Sequence, residues 1–167
     1  MKGDFFKIVI MLIAISLLMA LTSCGTKIKI VVSLVGQDFM DSRIRQEVLV
    51  ERESLIKGSS RAELYLRAVN KMKEGKVTDA EGLTTAFKKD FRVNNVTEDN
   101  GTAVVDFSSK NLSGSETVEK MLISQIVNTL IKSFDEIQAV SFTVDGDEAE
   151  TLMGHVDITR SFSVPIL

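Results

Sequence analysis

Residues 27–35 alternate between apolar and polar, with Ile28, Ile30, Val32 and Leu34 on one face and Lys29 and Ser33 on the other. That period of two predicts a first strand. Turn-forming residues fill 36–42, and Val48-Leu49-Val50, inside the charged stretch 43–52, predicts a second strand suited to a sheet edge. The period then lengthens. Ala62, Tyr65, Leu66, Val69 and Met72 recur at helical spacing behind a capping box of Ser60 and Glu63, and Gly75 is placed to end the helix. Residues 75–85 are polar and glycine-punctuated, with Val77 and Leu83 their only large apolar side chains, and read as a loop.

Residues 91–97 and 102–107 flank Asp99-Asn100-Gly101, a turn that predicts a β-hairpin whose second arm is apolar enough to lie inside a sheet. A second helix is expected over 116–133, capped by Ser113 or Ser115. Leu122, Ile123, Ile126, Val127, Leu130 and Phe134 form its apolar face, which Val118, Met121 and Ile131 widen. Asn128 and Thr129 interrupt that face. Their expected role is structural, bonding a nearby loop or strand to hold the helix in place. Residues 138–145 alternate again, and Asp145-Gly146 closes this strand with a turn. A short last strand over 154–159 is optional, and Pro165 points to a loosely held end. The pattern predicts an α+β fold: a single-domain α/β sandwich in the approximate order β-β-α-β-β-α-β. Two main helices pack on one face of a mixed or mainly antiparallel sheet.

The N-terminus has a different character. Lys2 and Lys7 precede or flank an apolar run over 8–20 that suits a secretion signal and is short for a bilayer span. It leads into Leu21-Thr22-Ser23-Cys24-Gly25, which resembles the lipobox of bacterial lipoproteins. Cys24 is the only cysteine, so no internal disulfide accounts for it. The expected organisation is a signal peptide over 1–23, a lipidated Cys24 with a short tether over 24–26, a domain over 27–160 and a tail over 161–167. An ordinary signal peptide and a retained anchor are the alternatives. Several acyl chains on Cys24 would make attachment to a lipid membrane durable, where one is marginal.

Composition narrows the partners. The chain carries a formal charge of −3, and its lysines and arginines are dispersed among comparable numbers of acids, which argues against nucleic acid or another polyanion. With no tryptophan and one tyrosine, an aromatic sugar-stacking groove is also disfavoured. Asp106, Ser108 and His155 hold the ingredients of nucleophilic catalysis without a nucleophile-elbow motif. His155 is the single histidine, and the acidic run Asp145, Asp147, Glu148 and Glu150 lacks the spacing of a calcium loop. No catalytic residue, metal site or cofactor is expected.

Four segments carry a family resemblance: Val104-Val105-Asp106-Phe107-Ser108, Ile126-Val127-Asn128-Thr129-Leu130, Val140-Ser141-Phe142-Thr143-Val144-Asp145-Gly146 and Gly154-His155-Val156-Asp157. Their order and spacing resemble the GerMN domain of sporulation and spore germination proteins, over residues 61–158. The resemblance implies a small extracytoplasmic domain, often lipid-anchored, that works through protein or envelope contacts without established catalytic residues. Where family members usually carry prolines after the first helix and before the hairpin, this chain has Glu74-Gly75-Lys76 and Thr84-Thr85-Ala86-Phe87. The expected function is a membrane-tethered interaction module of the bacterial envelope with a protein partner. The alternative is a lipoprotein that captures a small molecule or wall fragment.

Overall fold

A computed structural model describes residues 25–36, 49–74 and 82–167. The expected signal segment, Cys24, Val48, Gly75, most of the turn over 36–42 and most of the loop over 75–85 lie outside the described residues. The elements are β1 (Thr26–Gly36), β2 (Leu49–Gly58), α1 (Arg61–Lys71), β3 (Leu83–Thr84), β4 (Val93–Asp99), β5 (Thr102–Phe107), α2 (Glu116–Ser133) and β6 (Ala139–Val144). This is the expected α+β order with one short strand added. Leu83, expected in a loop, is buried in β3 because Leu83 and Thr84 pair with Gly36 and Val35.

The single expected sheet is divided in two. β2-β1-β3 forms one antiparallel sheet with β2 at its edge, and β4-β5-β6 forms a mixed one. In the second sheet β4 and β5 are antiparallel, while β5 and β6 run parallel with α2 as their crossover. The hairpin turns on Asn100 and Gly101, whose φ values of 50° and 82° supply the left-handed pair that a tight connection needs.

Both helices begin as the sequence predicts. Ser60 Oγ accepts from the Glu63 N–H at 3.2 Å, and the Glu63 carboxylate reaches back to the Ser59 N–H at 2.8 Å. At α2 the cap is Ser115, which accepts from the Val118 N–H. The buried face of α1 is rotated from the expected one. Leu64, Tyr65, Ala68, Val69 and Met72 are buried while Ala62 is exposed, because α1 packs on both β4 and β2 as well as α2. Tyr65 meets Phe134, the residue that ends α2, edge-on with ring centroids 4.7 Å apart.

The optional last strand over 154–159 does not form. Instead Phe162 exchanges backbone hydrogen bonds with Val140, occupying part of the free edge of β6, and its ring extends the stack Phe87, Phe107, Phe142. The tail is held more firmly than Pro165 implied. The Ile166 N–H donates to Ser124 Oγ on α2 at 3.0 Å, so the chain end is tied to the helix it crosses. Among the described residues no helix is long and apolar enough to cross a membrane.

Candidate functional site

The second half of β1 is buried on both faces, with Ser33 and Val35 fully enclosed, so the face that alternation gave to Lys29 and Ser33 is covered at Ser33. Its backbone needs partners on two edges. β2 satisfies one, and β3 reaches the other only at Val35 and Gly36. Between Val31 and Ser33 the second edge is completed by side chains of α2. Ser133 Oγ accepts from the Val31 N–H at 3.0 Å and donates to the Val31 carbonyl at 3.1 Å. Thr129 Oγ1 accepts from the Ser33 N–H at 3.0 Å, and Gln125 Nε2 donates to the Ser33 carbonyl at 2.8 Å.

Residues 125, 129 and 133 are spaced by four on a helix, about 6 Å per step, close to the roughly 6.6 Å of two strand residues. Ser133 and Thr129 thus keep step with Val31 and Ser33, Gln125 reaches the Ser33 carbonyl from the next turn, and α2 stands where another strand would pair.

Asn128 projects beside this seam and donates to Ser33 Oγ at 2.8 Å and to Glu51 of β2 at 3.0 Å. Gln125 also accepts from the Ala86 N–H at 2.8 Å, which clips the segment after β3 to the helix. No pattern rule flagged Gln125 or Ser133. A buried amide at helical spacing from Thr129 was the available signal.

A second polar cluster surrounds Asp145 and Gly146. Asp106, buried at the end of β5, accepts from Asn94 Nδ2, Thr143 Oγ1 and the Gly146 N–H, each at 2.8 Å. The bulge between Val93 and Asn95 lies beside Asn94, and φ values of 51° and 87° at Asp145 and Gly146 make the tight turn after β6. Asp145 is exposed and accepts from the Ser109 N–H. Bonds from Ser109, by side chain and backbone, hold its carboxyl below the usual carboxylate range. The turn is thus fastened to the exit of β5.

Glu119 is fully enclosed in the first turns of α2. Its Oε1 accepts from the N–H groups of Leu152 and Met153 at 2.9 and 2.8 Å, and its Oε2 from that of His155 at 2.9 Å. Three backbone donors compensate the buried carboxylate and shape the loop after β6. His155 Nε2 faces the Gly114 carbonyl at 3.1 Å. Asp106, Ser108 and His155 are not joined: the Asp106 oxygens are engaged elsewhere, and Ser108 Oγ accepts from the Lys110 N–H. Among the described residues no group of acids, histidines or cysteines is arranged to hold a metal ion.

These polar residues bind the fold to itself, and every buried side-chain polar atom among the described residues has a partner. Contact chemistry is left to the surface. One candidate is the groove of about 390 Å³ between β2 and α1, where Leu55 and Leu66 lie among Lys57, Glu63, Arg67 and Asn70. Leu55 is 55% exposed there on an edge strand, a setting in which an added partner strand can bond the open backbone.

The arrangement has relatives among solved structures. The first GerMN domain of the sporulation protein GerM from Bacillus subtilis superposes with a TM-score of 0.59 at 19% identity, over 84% of this chain and 94% of that one. The tandem GerMN domains of the same protein match with 0.59 at 18% identity, over 85% of this chain and 45% of that one. A protein designated a candidate lipoprotein from Clostridium perfringens matches with 0.55 at 15% identity, over 85% of this chain and 89% of that one. Among curated proteins none matches. The Germane family model, described as sporulation and spore germination, matches residues 36–150, which include α2 and the cluster around Asp106. The chain therefore belongs to the Germane family.

Proposed function

We propose that this protein is a lipid-anchored, extracytoplasmic, non-enzymatic interaction module that holds a protein assembly at the bacterial envelope, in sporulation or spore germination. The observation that carries the reading is the closeness of the lipobox-like cysteine to the fold. β1 begins at Thr26, two residues after Cys24, and Thr26 pairs at once with Gly58. At about 3.3 Å per residue, an acylated Cys24 would hold that end of the domain within roughly 10 Å of the lipid surface. The family match supports the process, and the surface between β2 and α1 supports contact with a protein partner. Buried polar residues engaged in structural bonds fit a scaffold better than a reaction centre.

The test is crosslinking in the native cell with mass spectrometry, comparing the normal chain with Cys24→Ala, alongside metabolic labelling with a fatty acid. Label on the normal chain alone, with the same envelope proteins recovered in quantity only when Cys24 is present, is the expected result. Absence of label, or recovery of no envelope protein from either chain, refutes the reading.

A further inference from the structure

Three segments distant in sequence meet beyond the C-terminal end of α1: Lys73, the turn 88–92, and Lys110 with Asn111 after β5. Backbone bonds brace the last two, from Phe91 N–H to the Lys88 carbonyl at 3.2 Å and from Ser108 N–H to the Arg92 carbonyl at 2.9 Å. Between the segments lies a cleft of about 310 Å³ lined by Lys73, Lys89, Arg92 and Lys110, with Asp90 as its one carboxylate. Lys73 is the innermost cation. Its ammonium lies 4.4 Å from the centroid of the Phe87 ring and donates to the Phe91 carbonyl, while Lys88 lies 5.3 Å from the Phe91 ring centroid. Among the described residues none of these five cations makes a salt bridge with a carboxylate, although acids outnumber bases in the chain. Burial, and then the Arg92 charge, lower the Lys73 pKa from its ordinary value, the cost of a desolvated ammonium beside like charge. An anion in the cleft reverses that cost.

We propose that this cleft is a binding site for a phosphate group carried by a ligand other than membrane lipid. Lysines and an arginine from three segments gathered on one cleft suit a compact oxyanion with several acceptor oxygens, and Asn111 adds a neutral polar residue to the lining. The exclusion of lipid rests on the anchored reading of Cys24. Gly25 packs on the backbone of Gly58, beside the start of α1, whereas Lys73 follows its end. At about 1.5 Å per residue, the Ser60 cap and Lys73 are roughly 20 Å apart, so with α1 directed away from the membrane an anchor at Cys24 would leave the cleft clear of the headgroups, an orientation that the vesicle comparison tests.

The experiment is equilibrium dialysis of the full chain in non-ionic detergent against radiolabelled inorganic phosphate at low salt. Saturable binding is expected, weakened at least ten-fold in Lys89→Ala/Arg92→Ala and unchanged in Lys57→Ala. No saturable binding, or equal affinity in all three proteins, overturns the proposal. Should the double variant melt below the normal chain, Lys110→Ala, on a separate segment, is judged by the same loss.

The source is separated by reconstituting the chain in phosphatidylcholine vesicles with and without phosphatidylglycerol. Equal phosphate affinity in both supports a non-lipid ligand, and loss of phosphate binding with phosphatidylglycerol assigns the cleft to headgroups and overturns that part. Cys24→Ala in detergent is expected to bind phosphate normally, so failure of the anchor and failure of the cleft are seen separately.

Discussion

Gln125→Leu probes the substitution of helix side chains for a strand. Leucine approximates the glutamine volume but removes the donor that meets the Ser33 carbonyl at 2.8 Å and the acceptor that meets the Ala86 N–H at 2.8 Å. Gln125 and Ser33 are fully enclosed and Ala86 is 3% exposed, so water does not readily replace either bond. Each orphaned buried group costs about 1–3 kcal/mol, and the apolar side chain returns part of that by easier desolvation. A net loss of about 2–4 kcal/mol is expected, a large share of the roughly 5–15 kcal/mol that holds a typical domain together.

Urea unfolding followed by far-ultraviolet circular dichroism reads the loss, and amide hydrogen exchange locates it. Protection is expected to fall at Ala86 and persist at the Ser33 N–H, which keeps its bond to Thr129. In Thr129→Val the Ser33 amide is the one expected to lose protection. A Gln125→Leu protein within about 0.5 kcal/mol of the normal chain, or the same amide responding to both substitutions, refutes the reasoning.

Tyr65 is the only tyrosine, so its ultraviolet titration reads one group. Burial, and then its hydrogen bond to Glu136 at 2.8 Å, push its pKa up to about 12, so the stability it lends is intact below the ordinary value near 10 and lost as pH rises through 12. A native tyrosinate midpoint near 10 refutes that environment. Gly146→Ala is expected to cost about 1 kcal/mol in the same urea assay, since φ is 87° while an added Cβ meets no atom within 4 Å; an unchanged midpoint refutes it. Glu119→Ala is expected to cost about 3 kcal/mol and expose the loop over 151–155 to proteolysis, because three backbone donors lose one carboxylate; a resistant loop refutes the clamp.

Local order was legible wherever neighbouring residues set it. The Ser60 and Glu63 cap, the Asn100-Gly101 turn, the Asp145-Gly146 turn and the span of α2 all depend on interactions within a few residues, and periodicity exposes those directly. The hydrophobic breadth of α2 likewise announced its burial. Leu83 and Phe162 were not readable as sheet partners, because a two-residue strand or a single bridge leaves no periodic trace. Asn128 and Thr129 stood out as polar positions on an apolar face, but their bonds to Ser33 were invisible in a chain where they lie more than ninety residues away.

Sequence alone therefore determined both helices, the hairpin, most of the strand order, the family resemblance and the candidate anchor at Cys24, since each is written in short-range spacing. Tertiary structure decided which edges pair, that one sheet becomes two, and how lysines that look dispersed along the chain gather around one cleft. Those outcomes turn on long-range matching: the 6 Å step of α2 meets the repeat of β1, and the end of α1 reaches the exit of β5. Such meetings leave no mark on the residues between them.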